Sequence, residues 1–129
     1  MAAIRPPVPL QAHALFRSRD LDGARERVAA VFCPHRLDSL AARERFDARH
    51  HHLAGERITL NYIEYGARTL IAPGELGGFY LLQIPIEGGA EIDSGGRRYL
   101  STPETAAVLD PHRPTRMVWE EGTRQVLVQ

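Results

Sequence analysis

Apolar residues recur at steps of three and four in only one stretch of the chain. Leu21, Ala24, Val28, Val31 and Phe32 form the stripe, and Arg25, Glu26 and Arg27 fall largely off it. That spacing puts the apolar side chains on one helical face. Asp20 or Asp22 supplies an N-cap, and Pro34 stops the element, because it lacks an N–H and restricts Cys33 before it. The pattern predicts a helix over about 21–33. Residues 1–17 carry Pro6, Pro7 and Pro9 and no period, so they read as an arm ordered only by docking. Residues 35–49 fit either a loop or a short helix around Leu40–Arg45.

From residue 50 the period changes to two. Ile58, Leu60 and Tyr62 alternate with Thr59, Asn61 and Ile63, up to Gly66. Arg68–Ala72 is a second candidate strand, closed by Pro73-Gly74. Phe79–Ile86 is nearly all apolar, which predicts a strand covered on both faces. Ala90–Asp93 and Arg97–Leu100 flank Ser94-Gly95-Gly96, a hairpin signal, since glycine supplies the positive φ of tight turns. Ala106–Leu109, Thr115–Glu120 and Gln125–Val128 complete the series. Seven or eight short strands after one helix predict a mostly β domain over 18–129, a sandwich or small barrel with the helix packed outside.

At 129 residues the chain has the size of one domain able to bury roughly two-thirds of its unfolded surface. Apolar residues make up 43% and charged residues 25%, which argues against disorder. No apolar run nears the ~18 residues of a membrane span, and the N-terminus lacks a basic stretch followed by an apolar one. Lone Cys33 makes neither an internal disulfide nor a cysteine-rich zinc site, so the cytoplasm is the expected compartment. All 16 basic residues are arginine, balanced by 16 acidic ones. Residues 1–57 hold 10 Arg against 7 Asp/Glu, a net of +3, and residues 58–129 hold 6 against 9, a net of −3. Neither half clusters the basic residues that binding a phosphate backbone requires. The chain ends in a strand without a polar tail, which is expected of a domain belonging to a longer protein.

His50-His51-His52 followed by Glu56 reads H-x-H-x3-E, and on a strand His50 and His52 face one side at a spacing that suits a metal. The same residue types in this order occur in the first motif of metal-binding cupins. A second cupin-like stretch is Gly96-x6-Pro103-Glu104-Thr105, with His112 seven residues on. The register opposes a metal. Counting back from Pro103, the Gly-ended strand is Phe79–Gly88, and Pro73–Gly78 before it contains no histidine. Only His112 falls near a ligand position. A small metal-dependent cupin enzyme built on His50, His52, Glu56 and His112 stays as the alternative reading. Ser18, Ser39, Ser94 and Ser101 sit in caps or turns without a nucleophile-elbow context. Cys33 belongs to an apolar helical face. The remaining candidate is an apolar strand set. Tyr62, Tyr80, Leu82, Ile84, Met117 and Trp119 are expected to point into a barrel, with Gln83, Asn61 or Arg116 as polar handles for a ligand.

Several runs together resemble a known family. They are Leu21-Asp22-x-Ala24-Arg25-Glu26-Arg27-Val28-Ala29-x-Val31-Phe32-Cys33-Pro34-His35-Arg36-Leu37, then Phe46-Asp47-Ala48-Arg49-His50-His51-His52, then Leu60-Asn61-Tyr62-x-x-Tyr65-Gly66. Phe79-Tyr80-Leu81-Leu82-Gln83-Ile84-Pro85-Ile86-x-Gly88 follows, then Ala106-Ala107-Val108-Leu109 and Met117-x-Trp119. The series, from about residue 15 onward, resembles the N-terminal cupin-like domain of AraC/XylS-type transcription regulators. The resemblance implies a cupin-like double-stranded β-helix with one α-helix outside. It implies no catalysis and no cofactor, but a small-molecule effector, for which an apolar or aromatic metabolite is suited. It implies a homodimer in the full regulator, with the arm at 1–17 as the movable element. DNA would be met only through a C-terminal domain of paired helix-turn-helix units, absent from this chain, and no membrane is implied.

Overall fold

The helical stripe is realised as α1 (Leu21–Val31) in the computed structural model, which describes residues 8–129. Asp20 caps it, its carboxylate accepting from the Gly23 N–H at 3.2 Å. Ala24 and Val28 are buried beneath it, and its last N–H bond runs from Phe32 to the Val28 carbonyl. Pro34 follows, as the sequence predicts. Replacing Asp20 by Ala leaves that N–H without its acceptor and is expected to cost about 1 kcal/mol, read as a lower urea midpoint at unchanged slope.

Eleven strands surround this helix among the described residues, against the seven or eight that the sequence predicts. β1 (Ala14–Ser18) lies before α1, β2 (Arg36–Ser39) directly after it, and β3 (Ala48–Ala54) carries the histidine run. Then follow β4 (Thr59–Glu64), β5 (Thr69–Gly74), β6 (Leu81–Glu87), β7 (Ala90–Ser94), β8 (Arg97–Ser101), β9 (Ala107–Leu109), β10 (Thr115–Trp119) and β11 (Arg124–Val128). The β7–β8 hairpin turns on Gly95 and Gly96 with φ of 57° and 88°, the geometry their sequence predicts.

The expected arm is therefore shorter than residues 1–17. Ala14–Ser18 pairs antiparallel with β3, and Phe16 anchors it in the core with the Arg27 guanidinium 5.3 Å from its ring centroid. Residues 1–7 lie outside the described residues. The Pro9 carbonyl is 2.9 Å from His51 Nδ1 and ties the segment to β3.

Two antiparallel sheets result, ordered β1-β3-β4-β11-β6-β9 and β2-β5-β10-β7-β8. Side chains alternate faces along every strand, so each cross-strand register row belongs to one face. In the five-stranded sheet, Leu37, Ile71, Met117, Ile92 and Tyr99 form one such row, opening on the core. In the six-stranded sheet, Phe16, His50, Ile63, Gln125 and Pro85 form one inner row, and His52, Asn61, Leu127, Gln83 and Ala107 the next. The core lies between the sheets, a cupin-like barrel with α1 against one end. Residues 35–49, expected as a loop or a short helix around Leu40–Arg45, supply a short 3-10 helix at Arg43–Arg45, and also β2 and buried Phe46.

Candidate functional site

The inner face of the six-stranded sheet is unusually polar for a core. His50, Asn61, Gln83 and Gln125 are each 0% exposed. Asn61 Oδ1 lies 2.9 Å from His50 Nε2 and 2.7 Å from His52 Nδ1, while its amide nitrogen donates to Thr59 Oγ1 at 3.3 Å. One carbonyl thus accepts from two imidazoles, which places a proton on His50 Nε2 and on His52 Nδ1. His50 Nδ1 is left as a buried lone pair without a partner. The His50 ring stacks on Phe32 at 5.7 Å and meets Phe16 edge-on at the same separation. Burial in this aromatic setting pushes its pKa down from 6.5 to about 4, against the opposing pull of the Asn61 hydrogen bond.

This arrangement does not fit a metal. The two imidazoles share an amide, while Glu56 and His112 are exposed turn residues. Among the described residues no three His, Cys, Asp or Glu side chains gather where one ion could be held.

Beside the polar inner rows lies a small apolar pocket of about 40 Å³. Ile63, Leu81, Gln83 and Leu127 line it from one sheet and Ile71, Met117 and Trp119 from the other. Val28, Phe32, Cys33 and His35, from α1 and the segment leaving it, form its roof. No Asp, Glu or Arg lines it. Three of its lining groups carry a buried polar atom without a hydrogen-bond partner: Gln83 Oε1, Trp119 Nε1 and His35 Nε2. His35 Nδ1 lies 3.0 Å from the Cys33 carbonyl, and burial lowers the ring's pKa. Burial also raises that of the half-buried Cys33 thiol.

Of the residues expected to point into the barrel, Met117 and Trp119 line this space. Asn61 faces inward but is engaged by the histidines. Four others face elsewhere. Leu82 and Ile84 lie on the outer face of β6, because register with β9 and β11 turns Leu81, Gln83 and Pro85 inward. The expectation that both faces of this strand are covered fails with it, since Leu82 and Ile84 are half-buried and Ile86 is exposed. Tyr80 precedes β6 and is 63% exposed. Tyr62 is fully buried but on the outer face, where its hydroxyl donates to Glu64 at 2.5 Å and accepts from Arg124 Nε at 2.7 Å. Arg124 also reaches Glu87 at 3.2 Å. Of the three polar handles, Gln83 alone lines the space, while Arg116 is exposed. The roof residues Phe32, Cys33 and His35 are absent from the sequence-derived site, because nothing in a strand pattern says where a helix end will rest.

Residues 24–129 match the AraC-binding-like domain. The chain belongs to that family. In fold, this AraC-binding-like domain is similar to CuxR, an AraC-like transcriptional activator, with a TM-score of 0.70 at 10% identity. The match covers 88% of this chain and 46% of that one, so the domain spans less than half the activator's length. It is also similar to the cupin domain of Schizosaccharomyces pombe Cnp3, with a TM-score of 0.52 at 10% identity, covering 63% of this chain and 62% of that one. KdgF from a Halomonas species gives 0.53 at 11% identity, covering 70% and 84%. Identities this low establish the cupin architecture of the AraC-binding-like domain alone. Among curated proteins none matches the sequence. No helix among the described residues is long and apolar enough to cross a membrane.

Proposed function

We propose that this chain is the part of an AraC-type transcription regulator that senses a small-molecule effector in the cytoplasm and helps subunits pair, without catalysing a reaction. The observation that carries this reading is the apolar space roofed by α1 and its exit segment. An occupant there acts on α1, which belongs to neither sheet. An effector that favours one arrangement of helix and barrel by about 1–3 kcal/mol shifts the population enough to be felt elsewhere. Met117, Trp119 and Gln83 are the expected contacts, with Asn61 holding the neighbouring imidazoles in place. DNA contact is assigned to a domain outside these 129 residues. For a homodimer, the apolar surface on offer is the outer register row Leu60, Val128, Leu82 and Val108. The segment tied to His51 through Pro9 leads onto the same sheet and is the proposed movable arm.

Fusing residues 1–129 to a DNA-binding domain that represses a reporter only as a dimer tests this. The fusion is expected to repress, and Leu82→Glu to relieve repression several-fold without unfolding the chain. A monomeric, non-repressing fusion removes the pairing role. A purified, untagged chain carrying one equivalent of divalent metal, lost on His50→Ala, replaces the sensor with a metal-dependent cupin enzyme.

A further inference from the structure

The unpartnered atoms on residues that line the pocket constrain what its occupant must offer. Trp119 Nε1 is a donor and nothing else. Gln83 Oε1 is an acceptor, since the amide nitrogen of the same side chain donates to Met117 Sδ at 3.3 Å. The His35 Nδ1 proton is directed at the Cys33 carbonyl, so Nε2 is a second acceptor. Trp119 is 2% exposed and Gln83 0%, so both polar atoms sit deep beneath the surface. Buried polar atoms are rarely left unpaired, and each one left so carries a standing desolvation cost.

We infer that the space takes an uncharged compound with an apolar body and one hydroxyl group, which accepts from Trp119 Nε1 and donates to Gln83 Oε1 or His35 Nε2. The inference rests on the sensing reading and narrows its effector. A hydrocarbon would leave all three atoms unpaired. A carboxylate would face two acceptors and no cationic side chain, a poor exchange for its hydration. A sugar brings more hydroxyls than three atoms satisfy. A hydroxyl, at once donor and acceptor, is the smallest group that serves both kinds of atom.

At about 40 Å³ the space is well below the ~150 Å³ of an apolar cavity that holds benzene. Ring entry therefore displaces lining side chains. Met117, with three rotatable bonds, and Phe32, half-buried at the end of α1, are the ones placed to give way. The thioether that Gln83 now holds is a weak acceptor, readily exchanged for a hydroxyl. Occupancy then moves the helix end, which links binding to a displacement of α1.

The chain has one tryptophan, so its indole N–H resonance reports Trp119 alone. Titrating the full chain with phenol, toluene and benzoate at pH 7 is the test. Phenol is expected to move the Trp119 N–H resonance downfield and saturably. Toluene is expected to bind about tenfold more weakly, the usual worth of one buried hydrogen bond, without the downfield shift. Benzoate is expected not to bind. In Gln83→Leu the preference for phenol over toluene should shrink by several-fold, and the wild-type comparison stands if that variant fails to fold. Equal affinities for phenol and toluene, or tighter binding of benzoate, overturn the hydroxyl assignment and leave a sensor of another ligand class. No saturable shift with any of the three overturns both the assignment and the cavity as a sensing site.

Discussion

Phe46→Ala is expected to destabilise the fold by about 3–5 kcal/mol, enough to unfold much of the population of a marginal domain at 37 °C. Phe46 is 1% exposed and packs its ring 5.9 Å from that of Tyr65, which lies 5.2 Å from that of Trp119. The three rings form a chain from the segment before β3 into the barrel. Removing the first leaves a void that neither sheet can close, since Trp119 is held in β10 and Tyr65, just after β4, is fixed by the Asp47 and Ala67 N–H groups on its carbonyl. Urea denaturation of wild type and variant gives the difference directly. A loss below about 1 kcal/mol would mean that the segment around Phe46 collapses into the void, or is not packed as described.

Acidification is the second large effect. The folded state holds His50 neutral down to about pH 4, whereas the unfolded chain protonates it near 6.5. Between those values the unfolded state binds more protons, so stability rises with pH across this window. The contribution is complete above pH 6.5 and is lost as pH falls towards 4. The total is on the order of 3 kcal/mol. His50→Leu removes the titrating group, leaves Asn61 paired with His52, and is expected to flatten the stability profile between pH 7 and 4 relative to wild type. Parallel profiles for the two proteins would show that His50 is not the group responsible. The physical cause is burial: a second proton would go to Nδ1, set against Phe16 and Phe32 without an acceptor.

How far the fold could be read from the chain follows from which strands announce themselves. β7 and β8 are fixed by Ser94-Gly95-Gly96, and α1 by its stripe, Asp20 and Pro34. β2 holds one apolar residue, Leu37, between charged neighbours, and this is too little for a period to show. β3 alternates in the correct phase, but its inward positions are Ala48, His50 and His52, and hydropathy cannot tell a buried imidazole from a solvated one. β6 is the instructive failure for the site. A nearly unbroken apolar run gives no parity, and the bulkier parity, Leu82 and Ile84, is the natural one to assign inward. The pairing with β9 and β11 decides otherwise. The one polar residue in that run, Gln83, was the available clue, because an amide amid aliphatic neighbours is more at home beside a cavity than on an outer face rich in aliphatic side chains.

Among the described residues both sheets stop short of closing on themselves, and each leaves two flanking strands with one free side. β9 has three residues and β2 four, β1 is broken by a register shift between Ala14 and Phe16, and β8 presents exposed Arg97 and Arg98. None of these borders is long, regular and uncharged enough to template a neighbouring chain. The domain should thus resist fibril growth by strand addition even at the high local concentrations that crowding or overexpression creates.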